Sequence, residues 1–110
     1  MSDQGEDEGY ELLDACCEGD IRRVRSLVSS GTNVDYEGEE TGSTPSICCC
    51  LGGYPRILQY LIDHGAQLNK IDYDECTPLY MAAQKDHHQC LSLLLQNEAD
   101  PNIPEIRGAT

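Results

Sequence analysis

Two stretches decide the fold: STPSICCCLGGYPRILQYLIDHGAQLN, residues 43–69, and CTPLYMAAQKDHHQCLSLLLQNEADPN, residues 76–102. Thr44-Pro45 and Thr77-Pro78 lie 33 residues apart, and Gly31 and Gly65 lie 34 apart. An earlier segment, YELLDACCEGDIRRVRSLVSSGTNVD from Tyr10 to Asp35, keeps the same register without Thr-Pro. A fixed period of this size marks a stack of small units, each unable to bury its own apolar face.

The chemistry of one unit follows from its punctuation. Thr is a good helix N-cap and Pro suits the first helical position, so Thr-Pro starts a helix. That helix is about two turns long, ending near Gly19, Gly53 and Asp86. A second helix follows, with apolar residues at Val24, Leu27 and Val28, at Ile57, Leu58, Leu61 and Ile62, and at Cys90, Leu91, Leu94 and Leu95. This spacing draws one broad stripe on a helix of 3.6 residues per turn. Gly31 and Gly65 then take the C′ position, where a positive φ is needed. An extended connector rich in Asp, Glu and Tyr leads to the next unit.

The period, the stretch Thr77 to Ala83, the close DHGAQLN and the acidic connectors together resemble ankyrin repeats, over about residues 10 to 110. The resemblance implies an all-α solenoid of helix-turn-helix units joined by β-hairpin fingers, with repeats at about 10–40, 41–74 and 75–107, then the start of a further finger. It departs from the family pattern at Tyr80 and Ile47, where His is usual, and at Glu98, where Gly is usual. The connector from Asp35 to Thr44 is one residue longer than that from Asn69 to Thr77, so the first finger is expected to loop out or bulge. Residues 1–9 read as a disordered acidic tail, being charged and without an apolar anchor. Glu11, Asp14, Glu18 and Asp20 give unit one the polar outer face of a terminal repeat. Unit three has no such face, and Gly108 and Thr110 fall where a fourth Thr-Pro would begin. The expectation is a longer array, with self-association through the uncapped third repeat.

Bulk composition narrows the function. Twenty acidic residues face seven basic ones, a net charge of −13. Such a surface repels phosphate backbones and anionic lipid, which argues against a nucleic-acid or membrane role. The first residues lack the basic and apolar regions of a secretory signal, and no apolar run approaches the ~18 residues of a membrane span. A cytoplasmic location is expected, with the nucleus as the alternative, and the seven cysteines are expected to remain thiols.

Those cysteines invite a metal or redox reading. Consecutive helical residues splay by ~100° each, so Cys48, Cys49 and Cys50 cannot share one zinc ion. Cys49 and Cys50 stand in the register of Ala82 and Ala83, and Cys16 matches Cys50. Cysteine there serves as a small hydrophobe. Equivalent positions in neighbouring repeats are ~8–10 Å apart, too far for a Cys16–Cys50 disulfide. Cys17 and Cys76 are expected to be exposed, with nothing clearly lowering their pKa. His87, His88 and Cys90 offer two ligands of a metal site but no third or fourth. GEETGST, residues 38–44, lacks the Lys of a phosphate loop and carries two repelling Glu. No catalytic constellation, cofactor site or metal site is read.

What remains is a binding surface, placed by the resemblance on the fingers and the concave faces of the first helices. The first finger would present Tyr36, Glu37, Glu39, Glu40, Thr41 and Ser43; the second Ile71, Tyr73, Asp74 and Cys76; the third Ile106 and Arg107. The first helices add Glu18, Leu51, Gln84 and Lys85. Tyr and Ile amid carboxylates suit a protein partner with a basic or basic-apolar patch. The expected function is a non-enzymatic protein-interaction module, a scaffold or adaptor. The alternatives are a regulatory module of a larger enzyme or ubiquitin-ligase adaptor, with catalysis elsewhere, and a thiol-based metal or redox sensor. The resemblance also raises hydroxylation at Asn69 or Asn102.

Overall fold

The structure is a computed structural model that describes residues 3–97 and 99, with side chains from Asp7 onward. Six helices follow in order: α1 Asp3–Glu18, α2 Ile21–Ser29, α3 Pro45–Gly52, α4 Pro55–Asp63, α5 Pro78–Gln84 and α6 His88–Gln96. No strand occurs among the described residues.

The Thr-Pro pairs act as their chemistry dictates. Thr44 Oγ1 accepts from Ile47 N at 3.3 Å and Thr77 Oγ1 from Tyr80 N at 3.0 Å, each with Pro inside the first turn. Asp20 starts α2 in the same way, its carboxylate accepting from Arg23 N at 3.3 Å. The first helices end in the left-handed region at Gly19 (φ 78°), Gly53 (φ 78°) and Asp86 (φ 64°). Space as well as φ demands glycine at the first two. A Cβ on Gly19 would lie 2.6 Å from the Tyr54 ring, and one on Gly53 2.6 Å from the His87 ring. Each ring belongs to the following repeat, so these glycines are where neighbouring repeats approach closely.

Stacking produces two layers. α1, α3 and α5 pack side by side, as do α2, α4 and α6, and each pair within a repeat packs across the gap. The extents, 44 × 26 × 21 Å, show one long axis. Between the layers lies a single core in which Leu12, Val24, Ile57, Leu58, Leu61, Leu94 and the thiols of Cys16, Cys49, Cys50 and Cys90 are almost wholly buried. Burial fades toward the last repeat: Ala83 is exposed at the register of buried Cys50, and Leu95 keeps 51% exposure.

Two details add to the expectations. The first helix begins at Asp3, inside the stretch read as a disordered tail over 1–9. Its early turns are held from a distance. The Tyr36 ring lies so close over Gly9 that a Cβ would meet it at 2.5 Å, Tyr10 packs edge-on to Tyr36 at 5.3 Å, and Thr32 Oγ1 donates to Glu8 at 3.4 Å. The fingers, in keeping with the expected hairpins, are tight turns closed by backbone hydrogen bonds. Gly38 N donates to Ser43 O at 2.9 Å in the first, and Asp72 N donates to Cys76 O at 3.0 Å in the second. The closing pair is thus one residue wider in the first finger, which is where the extra residue of the longer connector goes. Glu98, where Gly is usual, lies outside the described residues.

Candidate functional site

The finger side of the array is stitched from repeat to repeat. Tyr73 N donates to Thr41 O at 2.8 Å, joining the two finger tips, and Gln67 N donates to the Asp35 carboxylate at 2.9 Å. Lys70 Nζ meets Glu37 Oε2 at 2.8 Å, and hydrogen bonding to that carboxylate pushes the Lys70 pKa up. Within the second finger, the buried Asp72 carboxylate accepts from Asp74 N and Cys76 N, each at 2.9 Å. In the first, Thr41 Oγ1 donates to Ser43 Oγ at 3.0 Å and accepts from Ser43 N at 3.2 Å.

These bonds sort the residues expected at the binding surface. Glu37, Glu39, Glu40, Thr41, Leu51, Ile71, Tyr73, Asp74, Gln84 and Lys85 are exposed. Glu37 shares its charge with Lys70, and Thr41 and Ser43 shape their own turn. Tyr36 and Cys76 are half-buried, and Tyr36 packs against Gly9 and Tyr10. Ile106 and Arg107 lie outside the described residues, as does Asn102; Asn69 is exposed. Tyr73 stands out at 66% exposure, its ring laid over Gly42, where a Cβ would approach to 2.7 Å. Gly42, at φ 74°, allows the first finger to cradle an aromatic ring from the second. Ile71, at 43% exposure, lies two residues away.

On the second-helix side, an open groove of about 590 Å³ is lined by Pro55, Arg56, His88, Gln89, Ser92 and Leu93. A smaller one of about 400 Å³ uses Gly19, Ile21, Tyr54, Pro55, Arg56 and Ile57. Sequence reasoning did not find them. Each lies between the starts of two successive second helices. His87 Nε2 lies 3.2 Å from Leu51 O, tying α5–α6 to the preceding repeat, while His88 pairs with Asp86 at 3.0 Å. Cys90 is buried away from both. No group of three or more His, Cys, Asp or Glu side chains that could hold a metal ion occurs among the described residues. No helix among them is long and apolar enough to cross a membrane.

The thiols divide between core and surface. Cys16, Cys48, Cys49, Cys50 and Cys90 are buried, Cys76 is half-buried and Cys17 is exposed. Burial, then the neighbouring Cys17, pushes the Cys16 pKa up to about 12, and burial raises that of Cys49. Within the adjacent triplet, Cys49 donates to Ser46 O at 3.4 Å, inside its own helix. The expectation that nothing lowers the Cys17 pKa is corrected. A hydrogen bond from the Cys48 thiol brings it down to about 7, against burial and the charges of Asp14 and Glu18. Cys48, whose proton is held in that bond, is raised.

Comparison with known proteins agrees with this geometry. The family described as ankyrin repeats (3 copies) matches residues 12–105. Similar proteins include palmitoyltransferase Hip14 of Drosophila melanogaster, 30% identical over 103 residues, which is 93% of this chain and 16% of that protein. Inversin of Gallus gallus is 35% identical over 100 residues, 91% of this chain and 9% of that protein. Ankyrin repeat and KH domain-containing protein 1 of Homo sapiens is 32% identical over 98 residues, 87% of this chain and 4% of that protein. The chain therefore spans less than a fifth of the length of these relatives.

Proposed function

Because the chain belongs to the ankyrin-repeat family, whose repeats are protein-interaction modules, we propose that it recognises a protein segment bearing basic and apolar side chains. The observation that carries this reading is the Tyr73 ring, two-thirds exposed and fixed across Gly42 between the finger tips. Ile71 adds apolar area, and Glu39, Glu40 and Asp74 supply negative charge around it. An immobilised aromatic loses little entropy on binding and makes a good anchor. Carboxylates at the rim steer a basic partner and set a salt dependence. Leu51, Gln84 and Lys85 extend the surface along the first helices. A scaffold or adaptor role in a cytoplasmic or nuclear setting follows from this reading, as does self-association through the exposed side of the third repeat. Regulation within a larger enzyme is the second reading, favoured by the match to 16% of the length of a palmitoyltransferase.

Fluorescence anisotropy with short synthetic peptides of basic-apolar, acidic-apolar and neutral-apolar composition tests the proposal. Binding is expected from the basic-apolar set alone and should weaken as salt rises. Tyr73→Ser with Ile71→Ser should weaken it at least about tenfold. Equal binding of the acidic set, or no effect of the double substitution, would overturn the reading.

A further inference from the structure

Charge is divided unevenly between the two helical layers. The second helices α2, α4 and α6 carry four arginines, Arg22, Arg23, Arg25 and Arg56, against a single carboxylate, Asp63, in a chain whose net charge is −13. Two of these cations are engaged. Arg23 pairs with Glu18 at 3.5 Å, and the Arg25 guanidinium lies 5.7 Å from the centre of the Tyr60 ring. Arg22 and Arg56 are exposed and take part in no ion pair among the described residues. Both occupy the second position of their helix, so they share one edge of the stack. Arg56 and Pro55 line both grooves on that edge: the one of about 590 Å³, walled further by Leu93, and the one of about 400 Å³, walled further by Ile21 and Tyr54. Arg56 is thus a cationic ridge between two apolar hollows. The carboxylates nearby are already occupied. Asp20 accepts from Arg23 N at 3.3 Å, Glu18 holds the Arg23 guanidinium, and Asp86 holds His88 at 3.0 Å.

We propose that this edge binds an acidic amphipathic helix of a partner protein, which sets apolar side chains into the two grooves and a carboxylate between them onto Arg56. The spacing selects a helix. Grooves that repeat with the packed helices are ~8–10 Å apart. Residues i and i+7 of a helix lie ~10.5 Å apart on one face, with i+3 and i+4 between them on that same face. A strand covers the span in three residues, which turns its two end side chains to opposite faces. The segment recognised therefore has apolar residues at i and i+7 and Asp or Glu at i+3 or i+4.

Charge complementarity fixes the sign of the partner. A guanidinium takes a carboxylate through two parallel hydrogen bonds, and exposed Gln89 and Ser92 offer further donors along the larger groove. The fingers and first helices carry most of the carboxylates, so an acidic helix is repelled from them and directed to the edge that holds Arg22 and Arg56. A basic helix meets like charge at this edge and is drawn to the fingers instead. The two surfaces therefore select opposite partners. Peptides of a few residues do not hold the i, i+7 spacing, because isolated helices shorter than ~12–15 residues are marginal in water. The short peptides offered to the finger tips thus leave this edge unoccupied, and the two proposals fail separately.

The test is fluorescence anisotropy of the full chain with labelled peptides of about 20 residues, held helical by lactam bridges on the far face. The first peptide carries Leu at i and i+7 and Glu at i+3 and i+4. The second has Lys in place of those Glu, and the third has Ser in place of those Leu. Only the first should bind the wild-type chain, and Arg56→Glu should weaken it at least about tenfold. Arg25→Glu makes the same change in net charge away from the grooves and should weaken it less than about twofold. The Lys-bearing helix should bind Arg56→Glu more tightly than it binds the wild type. Arg56 is exposed, so its substitution spares the core, and circular dichroism checks that each variant is folded. No binding of the first helix at about 1 mM, equal binding of the second, or no effect of Arg56→Glu would overturn the proposal. So would Arg56-dependent binding of phosphatidylserine vesicles, or an Arg56-dependent dimer in sedimentation, since either puts a different occupant on this edge.

Discussion

Replacing Thr44 by Ala removes two things at once, a capping hydroxyl and a buried methyl. The side chain is wholly buried and its hydroxyl accepts the Ile47 amide at the start of α3. Loss of an N-cap costs about 1 kcal/mol. Because the site is closed to water, the Ile47 N–H has no solvent to turn to, which places the loss in the upper half of the ~0.5–2 kcal/mol range. The buried methyl contributes ~0.8 kcal/mol more. The sum is about 2–3 kcal/mol, a large part of the ~5–15 kcal/mol typical of a small domain. Urea unfolding followed by circular dichroism under reducing conditions measures it, and thermal melts should fall by roughly 10–20 °C. Thr44→Ser separates the contributions: it keeps the cap and loses only the methyl, so about 1 kcal/mol is expected. If Ser and Ala destabilise equally, the hydroxyl does not cap α3 and the reasoning fails.

The remaining predictions concern single positions. Ser46 Oγ is buried without a hydrogen-bond partner, at the register of Leu12 and Leu79; Ser46→Ala is expected to be neutral or stabilising by up to about 1 kcal/mol in the same urea assay. Glu75 is held at φ 64°, a conformation that disfavours a Cβ, so Glu75→Gly should raise stability by about 0.5–1 kcal/mol, read as a higher urea midpoint. Cys49→Ala should cost less than ~1.5 kcal/mol if the thiol only fills space; a loss beyond ~3 kcal/mol would contradict that role.

Legibility in the sequence depended on whether a feature is local. Thr44, Thr77, Gly53 and Asp86 announce helix starts and stops because capping and left-handed φ are properties of a few adjacent residues, and the structure places them accordingly. The start of α1 did not announce itself. It lacks Thr-Pro, and it is held by Tyr36 and Thr32, residues far along the chain. The binding surface divides in the same way. Tyr73 and Ile71 were readable as finger residues, but nothing local shows that Tyr36 turns inward onto Gly9 while Tyr73 stays out.

The bond from Tyr73 N to Thr41 O, the Lys70–Glu37 pair and the Gln67–Asp35 bond all lie on the finger side of the stack. At the other end of the helices open grooves lie between the starts of the second helices, yet neighbouring repeats also meet there, with Tyr54 over Gly19 and His87 on Leu51 O. The stack is thus tied at both ends of its helices, and a partner gripping the finger tips meets a nearly rigid ruler whose spacing is set by the repeat.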